Sequence, residues 1–433
     1  MNNKYQVESM EKHPALAFIL TLLFSIFVLL RPQEIFPSLY GVPVIAVLSV
    51  LTLIVIFSSY RPIKFVPQHY FLLALYPVVF ISGVLGWNNN GLTQANFYFN
   101  SALIPLLIFS ITFTSAERQT KFMWLSLIIS AFLVHNGHVQ QNSADGFGWS
   151  GTQYVEKGRI TYLGILGDPN DLGIFFILNI PFALYFFRNS SFIGKTVALC
   201  ALSWLFYGIY MTNSRGAMIA LSGVLAAYFI IKYGGVKAII SSLILAPVGL
   251  VVMSSFRAVS SDEASAKGRL WAWWDGLEML KANPIWGVGS GNFLEHHGRV
   301  AHNTYVQIAA ELGLTGYILW SSILFLTLYL GFNCIQLSKT LKNSKVTVEL
   351  LQELQLNATL FYSLCGFAMC SFFLTRNLFI GFYMIAGMLI ASYLRIIKID
   401  SSFKVNYSIA MKKVITAAFS MLIIIWITLK FTL

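Results

Sequence analysis

Apolar segments of about 20 residues recur along almost the whole chain and are separated by short polar breaks. An α-helix of that length and composition can cross the hydrocarbon core of a bilayer with its backbone hydrogen bonds satisfied internally. The mean hydropathy of +0.70 and the hydrophobic share of 57% are too high for the surface of a soluble domain of 433 residues. The sequence therefore predicts an all-α, polytopic membrane protein.

Twelve segments are predicted to cross the membrane, and the apolar run 413–431 is a candidate thirteenth. The twelve are 15–31, 42–59, 69–86, 97–114, 121–138, 171–187, 195–212, 215–231, 236–256, 303–333, 354–374 and 378–397. We find no internal repeat and no low-complexity linker, so we expect 1–433 to form a single transmembrane domain.

Lysine and arginine are distributed unequally between alternate polar breaks. With a cytoplasmic N-terminus, 18 of the 29 Lys and Arg residues fall on the cytoplasmic side and 10 on the other, with Lys430 unassigned. This asymmetry follows the positive-inside rule and places the break 257–301 on the side opposite the cytoplasm. The cations lie between apolar spans rather than on one polar face, so the net charge of +12 does not indicate nucleic-acid binding.

The break 257–301 is too long for a simple connection, and loops of about 45 residues usually have a function. Within it, Leu270–Leu280 has helical spacing and ends before Asn283-Pro284. Trp271, Trp274, Leu277 and Leu280 would lie on related faces of that helix. We expect a loop that contains short helices and completes an active site.

Two arginines next to polar breaks are candidate ligands for a phosphate group. Arg215 lies between two apolar segments, and Arg269 opens the predicted loop helix. The planar guanidinium group binds phosphate oxygens through two hydrogen bonds and keeps its charge. Alternatively, Arg215 reaches the lipid headgroups and Arg269 pairs with Asp275 or Glu278 on the same helix.

His302 directly precedes a long apolar segment and is a candidate general base. The positive end of the helix dipole and nearby guanidinium groups disfavour a charged imidazole, so we expect a neutral side chain at pH 7. Alternatively, His302 is a capping residue that bonds to the loop backbone. His296 and His297 cannot both face one metal ion on a helix, and we expect them to be solvated.

Asp168 and Asp171 could hold a divalent cation, but the Pro169-Asn170 turn between them accounts for both residues. In that interpretation Asn170 or Asp171 is the N-cap of the next helix. We expect no metal ion and no cofactor, because further oxygen ligands are scarce. The glycines of 287–291 lack a preceding strand and indicate a tight turn rather than a phosphate-binding loop. Arg31 and Arg376 lie at the interface, where they extend a basic funnel or reach the headgroups.

Four stretches form a combined pattern in one order along the chain. They are Ser214-Arg215-Gly216, Gly268-Arg269 with the aromatic helix after it, Asn283–Phe293, and His302–Tyr305 with Glu311–Gly316. This pattern resembles the O-antigen ligase and polymerase superfamily of membrane glycosyltransferases. The resemblance covers about 160–330 together with the overall topology. Gly167–Asp171 and Leu30–Glu34 resemble the ligase branch. Family members often have a further acidic residue near the chain end, whereas Thr375-Arg376-Asn377 offers none.

The resemblance implies a metal-independent, inverting, GT-C-type glycosyltransferase of the bacterial inner membrane with a periplasmic catalytic face. The donor would be a glycan on undecaprenyl diphosphate, and the acceptor would be lipid A–core oligosaccharide, in lipopolysaccharide biosynthesis. In the family two arginines bind the diphosphate and a histidine activates the acceptor hydroxyl, and the matching residues are Arg215, Arg269 and His302. Candidate accessory residues are Arg31, Asn303, Asp168 and Arg376.

Three alternatives remain at this point. An O-antigen or exopolysaccharide polymerase and a protein O-oligosaccharyltransferase would use the same chemistry with another acceptor. A transporter of lipid-linked sugars belongs to another class and predicts ionisable residues near mid-span and two similar halves, neither of which the sequence shows.

Overall fold

The computed structural model describes residues 15–60, 62–86, 91–234, 262–341 and 347–433, without the side chains of 157 and 262–266. Within these ranges the chain is helical, and its only β-type pairings are two isolated bridges in the linker 143–168. The helices are α1 (Ala15–Leu29), α2 (Pro32–Ile35), α3 (Val44–Ser59), α4 (Pro67–Leu85), α5 (Gly91–Tyr98), α6 (Ile104–Thr112), α7 (Ala116–Asn142), α8 (Pro169–Asn189), α9 (Phe192–Thr212), α10 (Arg215–Tyr233), α11 (Asp262–Ala282), α12 (Phe293–His297), α13 (Thr304–Ser338), α14 (Val348–Phe373), α15 (Ile380–Ile399) and α16 (Tyr407–Thr432).

The described residues confirm an all-α, polytopic membrane fold. Ten helices in these ranges are long and apolar enough to cross a bilayer, and α1 and α3 are shorter apolar helices. α5 and α6 form one of the ten, joined by a π-helical turn at Phe99–Leu103. A helix is present at each predicted span that falls within the described residues, including 413–431. The predicted span 236–256 and the first residues of the loop 257–301 lie outside them.

α8 and α15 form the centre of the bundle. Buried residues make up 78% of the apolar window of α8 and 83% of that of α15, compared with 22% for α9 and α10. Small residues allow the close contacts that hold helices together in a bilayer. Gly366 of α14 lies against Val224 and Ile177, and Gly387 of α15 lies against Phe109. Bulkier residues at either glycine would separate these helices.

α8, α10 and α13 begin at the same end of the bundle, where α14 finishes. Ser214, just before α10, donates a hydrogen bond to the Asn170 side chain near the start of α8 (2.7 Å). Thr304, at the start of α13, donates to the Leu374 carbonyl just after α14 (2.7 Å). We call the short connection after α14 the linker 374–379. Three helix N-termini with their positive dipole ends therefore meet one polar linker.

A buried ion pair joins several elements at the opposite end. Arg395 of α15 binds both carboxylate oxygens of Glu353 of α14, at 2.6 and 2.8 Å. The same guanidinium donates to the Gln119 side chain of α7 (2.6 Å) and to the Phe113 carbonyl. The Glu353 side chain is only 4% exposed. A buried charge of this kind needs its partner, so the contact fixes α7, α14 and α15 relative to one another.

The loop helix is longer than the sequence predicts. α11 begins at Asp262, eight residues before the predicted start, because the residues ahead of Leu270 contain no proline to stop it. Its buried positions are Ala272, Trp273, Gly276 and Met279, whereas Trp271 is 48% exposed. α11 packs on α13 and α16, and Trp274, Leu277 and Leu280 of the predicted apolar face are partly buried against the core.

Candidate active site

His302 precedes α13 in a constrained backbone conformation. Its φ of 49° is in the left-handed region, which non-glycine residues rarely adopt. The next residue, Asn303, is the N-cap, and its side-chain oxygen accepts hydrogen bonds from the Tyr305 and Val306 amides at 3.0 and 3.1 Å. Asn303 is fully buried, and its side-chain nitrogen has no hydrogen-bond partner. The cap therefore fixes the backbone beside His302 and leaves a buried donor next to it.

The linker 283–303, which contains α12, is bound along the first turns of α13. The Val288 and Gly289 amides donate to the carbonyls of Ala310 and Glu311, at 2.9 and 3.1 Å. α13 is interrupted at Gly313, whose φ of 64° frees backbone groups for these bonds. At Gly287 a Cβ atom would lie 2.3 Å from the Glu311 carbonyl carbon. Gly287 therefore allows close packing on α13, and the positive φ values of Gly287, Gly289 and Gly291 agree with the expected tight turn.

Two polar side chains of α13 are directed at this linker. The Glu311 carboxylate accepts from the Phe293 amide (3.3 Å) and from the Gln307 side chain (2.5 Å). Gln307 in turn accepts from the Ala301 amide at 2.9 Å, one residue before His302. The position of His302 is thus determined from both sides, by its own helix cap and by the bound linker.

α11 brings Arg269 to the same place. Trp273, one turn after Arg269 on the same face, donates from its indole nitrogen to the Ala301 carbonyl at 2.9 Å. The Trp273 ring also packs edge-on against Phe372 at the end of α14, with 5.2 Å between centroids. Because Ala301 adjoins His302, the Arg269 guanidinium lies within electrostatic reach of the imidazole, where it lowers the pKa of His302.

Arg376 is held by two carboxylates that the sequence pattern presents as turn formers. Its guanidinium contacts the Asp171 carboxylate closely and lies 3.5 Å from that of Asp168. Its backbone amide donates to the Thr304 hydroxyl at 2.9 Å, which ties the linker 374–379 to the start of α13. Arg376 therefore connects the start of α8 with the residues next to His302.

Arg215 is the first residue of α10 and lies at the same end. The residue after it, Gly216, packs against Leu374, where a Cβ atom would be 3.1 Å from that side chain. Asn170 accepts from Ser214 and from Arg159, whose guanidinium also donates to the Thr212 carbonyl at 3.1 Å. The start of α10 is therefore fixed between Asn170 and the linker that carries Arg376.

The imidazole of His302 is kept uncharged by its surroundings. Burial lowers its pKa from the ordinary value of 6.5, and the positive charges of Arg269, Arg376 and Arg299 lower it further, while Asp168 acts in the opposite direction. A histidine below its ordinary pKa is neutral at pH 7 and can accept a proton. The arrangement combines a base with guanidinium groups that can bind an anion.

Arg31 lies in a separate cavity just after the C-terminal end of α1. It pairs with Glu34, and its backbone φ is 53°. Gly164 of the linker 143–168 packs against the Arg31 guanidinium. Arg31, Glu34 and Asn100 line a cavity of about 390 Å³ beside α3. The segment 164–168 runs from Arg31 to the start of α8 and so connects this cavity to the site.

Two sequence expectations need correction, and two arginines were missed. The N-cap of α8 is Asp168, which accepts from the Asn170 amide at 2.7 Å, rather than Asn170 or Asp171. His297 is not solvated, because its ring bonds to the Asp275 carboxylate at 2.6 Å and its side chain is 14% exposed. Arg159 and Arg299 were not singled out, although both belong to the few cations on the sparsely charged side of the chain.

Asp168 and Asp171 are engaged by Arg376, which reduces their capacity to bind a cation. In the ranges with described side chains, no three His, Cys, Asp or Glu residues are grouped closely enough to hold a metal ion.

Taken together, fold and site define a multi-pass, all-α membrane protein with a histidine and several arginines where polar linkers meet one end of the bundle. Residues 200–321 match the Wzy_C family, described as "O-Antigen ligase", and this match supports an O-antigen-ligase-like assignment for that part of the chain. The family consists of membrane-bound bacterial ligases and polymerases of the glycosyltransferase type that use lipid-linked glycans. The matched segment includes Arg215, Arg269 and His302. No curated protein matches the chain.

Proposed function

We propose that this chain is an O-antigen ligase that transfers a glycan from undecaprenyl diphosphate to lipid A–core oligosaccharide. In this proposal the reaction takes place on the periplasmic side of the bacterial inner membrane, inverts the anomeric configuration and needs no metal ion. The observation that carries the proposal is the uncharged His302 beside Arg269 and Arg376, with Arg215 at the start of a helix on the same end.

Arg215 and Arg269 would bind the diphosphate of the donor. Negative charge develops on the leaving diphosphate as the glycosidic bond breaks, and fixed guanidinium groups stabilise that charge more than the ground state. The N-termini of α8, α10 and α13 add their positive dipole ends to the same region. The polyprenyl chain would remain in the bilayer beside the helices.

His302 would act as the general base. Its imidazole removes the proton from an acceptor hydroxyl while that oxygen attacks the anomeric carbon from the face opposite the diphosphate. The bond from the anomeric carbon to the phosphate oxygen breaks, its electron pair leaves with the diphosphate, and the configuration inverts. Arg376 and Asp168 are positioning residues in this scheme, because their charges set the pKa of His302 in opposite directions.

The test is transfer by the purified chain in vesicles that contain a defined undecaprenyl-diphosphate-linked glycan and lipid A–core. We expect glycosylated lipid A–core from the wild type and a roughly 10²–10⁴-fold lower rate from His302→Ala, with donor binding retained. Arg215→Ala and Arg269→Ala should lower both donor binding and rate. Full activity of His302→Ala would contradict the assignment of the base.

Products distinguish the alternatives. Joining of two lipid-linked repeat units would indicate a polymerase, and glycosylation of a protein would indicate a protein O-oligosaccharyltransferase. Movement of the intact donor across the vesicle membrane without new bonds would indicate a transporter.

The same assay tests metal independence. Because Arg376 engages Asp168 and Asp171, we expect the transfer rate to be unchanged in excess chelator. Loss of activity in chelator that is restored by a divalent cation would overturn this part of the proposal.

A further inference from the structure

A second polar site lies at the far end of α8, α10 and α14. These helices enclose a cavity of about 410 Å³ whose walls include Leu184, Val224, Leu225 and Phe229. α8 has 21 residues and rises about 1.5 Å per residue, so its two ends are about 30 Å apart. The cavity therefore opens near the membrane surface opposite the candidate active site.

Two cations converge on one phenol at the mouth of this cavity. Arg188 donates to the Tyr228 hydroxyl oxygen at 2.9 Å, and Lys232 donates to the same oxygen at 2.8 Å. The Arg188 guanidinium also lies over the Tyr228 ring, 5.4 Å from its centroid, and the Lys232 nitrogen lies 5.1 Å from it. Because both groups share one oxygen, the two positive charges lie within a few ångströms of each other.

The two cations are exposed and repel each other at this separation, and a nearby negative charge would offset the repulsion. A phenol accepts hydrogen bonds but does not neutralise two cations. No carboxylate belongs to the described lining of the cavity, and no ion pair among the described residues involves Arg188 or Lys232. If the Arg188 and Lys232 side chains only extended to the lipid headgroups, they would not need to bind the same hydroxyl oxygen. The mouth is thus complementary to an anion, and the apolar walls behind it are complementary to a hydrocarbon chain.

We propose that this cavity binds one anionic phospholipid of the leaflet opposite the candidate active site. The lipid phosphate lies between Arg188 and Lys232 and accepts a hydrogen bond from the Tyr228 hydroxyl, and one acyl chain follows Val224 and Leu184 into the cavity. Basic pockets between transmembrane helices bind acidic headgroups in this way. Free phosphate would leave the apolar walls without a binding partner, whereas a phospholipid fills them with an acyl chain, so a lipid fits the cavity better.

The experiment is native mass spectrometry of the full chain in detergent, titrated with phosphatidylglycerol or with phosphatidylcholine of the same acyl chains. We expect one retained phosphatidylglycerol and weaker phosphatidylcholine binding. The double variant R188Q/K232Q should bind phosphatidylglycerol at least about tenfold more weakly, because two charge-assisted hydrogen bonds are lost. Tyr228→Phe, which keeps the ring and removes the hydroxyl, should have a smaller effect in the same direction.

The matched control is K195Q/K412Q, which removes two exposed cations from helix starts at the same end of the bundle. It should bind phosphatidylglycerol like the wild type. Equal weakening in both double variants, or no weakening in R188Q/K232Q, would overturn the proposal. Retention of a neutral polyprenol without preference between the two phospholipids would also overturn it. All variants should melt at the wild-type temperature in phosphatidylcholine, which excludes misfolding as the cause of weaker lipid binding. No glycan substrate is present, so the outcome does not depend on the transferase assignment.

Discussion

At the scale of single residues, three non-glycine residues in the described ranges have a positive φ: Arg31, Asn213 and His302. Each directly precedes a helix or its N-cap, at the starts of α2, α10 and α13. Such conformations cost on the order of 1–3 kcal/mol and persist where surrounding contacts impose them. At His302 these contacts are the Asn303 cap and the bound linker. They impose the strained backbone and so hold the imidazole in a defined direction.

The lowered pKa of His302 predicts the pH dependence of transfer. Only the neutral imidazole can accept the proton, so kcat/KM is constant around neutral pH and falls as the pH drops through the pKa of His302. That fall should be centred below 6.5, because burial and Arg269 both disfavour the charged ring. Measurement of kcat/KM against pH checks this.

The charge of Arg269 can be tested in the same profile. Arg269→Gln removes one positive neighbour, so the acid limb should move toward higher pH even though the overall rate is lower. An acid limb at or above 6.5 in the wild type, or one that stays in place in Arg269→Gln, would contradict the electrostatic argument.

The residue scale also shows what the sequence could and could not predict. Arg215, Arg269 and His302 could be proposed from the sequence because they lie at polar breaks on the side of the chain with few cations. The role of Arg376 was not, because its partner Asp171 is 205 positions away in the chain. A local sequence pattern cannot show a contact between residues so far apart. The sequence therefore indicates only a turn at Asp171 and an interfacial cation at Arg376.

At the scale of elements, the docking of the linker 283–303 on α13 controls the site. Backbone bonds to Ala310 and Glu311 hold Val288 and Gly289 along the helix, and Gln307 holds Ala301 beside His302. The helices themselves were predictable from their apolar length. The interruption of α13 at Gly313 was not predictable. It depends on close contact with the backbone of Ile285, which lies in a different segment of the sequence.

Gly287→Ala tests this docking. The substitution places a Cβ atom against the Glu311 backbone and forces a φ of 70° on alanine. We expect about 1–2 kcal/mol of destabilisation from the backbone conformation and about 1–3 kcal/mol more from overpacking, together with reduced transfer. Thermal unfolding in detergent and the transfer assay measure the two effects.

Gly298→Ala is the matched control. Gly298 has a similar φ of 78°, but nothing lies within 4 Å of the position that a Cβ atom would occupy there. Its substitution should show only the backbone cost and retain transfer. If both variants lose stability and activity equally, the contact with α13 is not what matters at Gly287.

At the scale of the whole molecule, the two ends of the bundle are held differently. One end has the polar linkers and the site around His302, whereas the other has the buried pair of Arg395 and Glu353. Sequence alone indicated which helices exist but not that α8 and α15 are central, because nearly all the spans are similarly apolar. Which helices are central and which are peripheral is therefore known only from the three-dimensional structure.

Glu353→Ala should destabilise the bundle strongly. It leaves Arg395 partly buried without its carboxylate, and breaking a buried pair in this way costs about 3–5 kcal/mol. Glu117→Ala removes the carboxylate of the exposed pair with Lys121 and should leave thermal unfolding unchanged. Comparable melting temperatures for the two variants would show that the buried pair does not fix the helices.

The brevity of α3 affects the surrounding lipid. Its 16 residues span about 24 Å, whereas the hydrocarbon core is about 30 Å thick. A bilayer adapts to such a mismatch by thinning locally. Val44, Ile45 and Ser49 of α3 line the cavity that contains Arg31. Headgroups beside this cavity will therefore sit several ångströms deeper than elsewhere around the protein, so that an amphiphile can meet Arg31 and Glu34 without rising out of its leaflet.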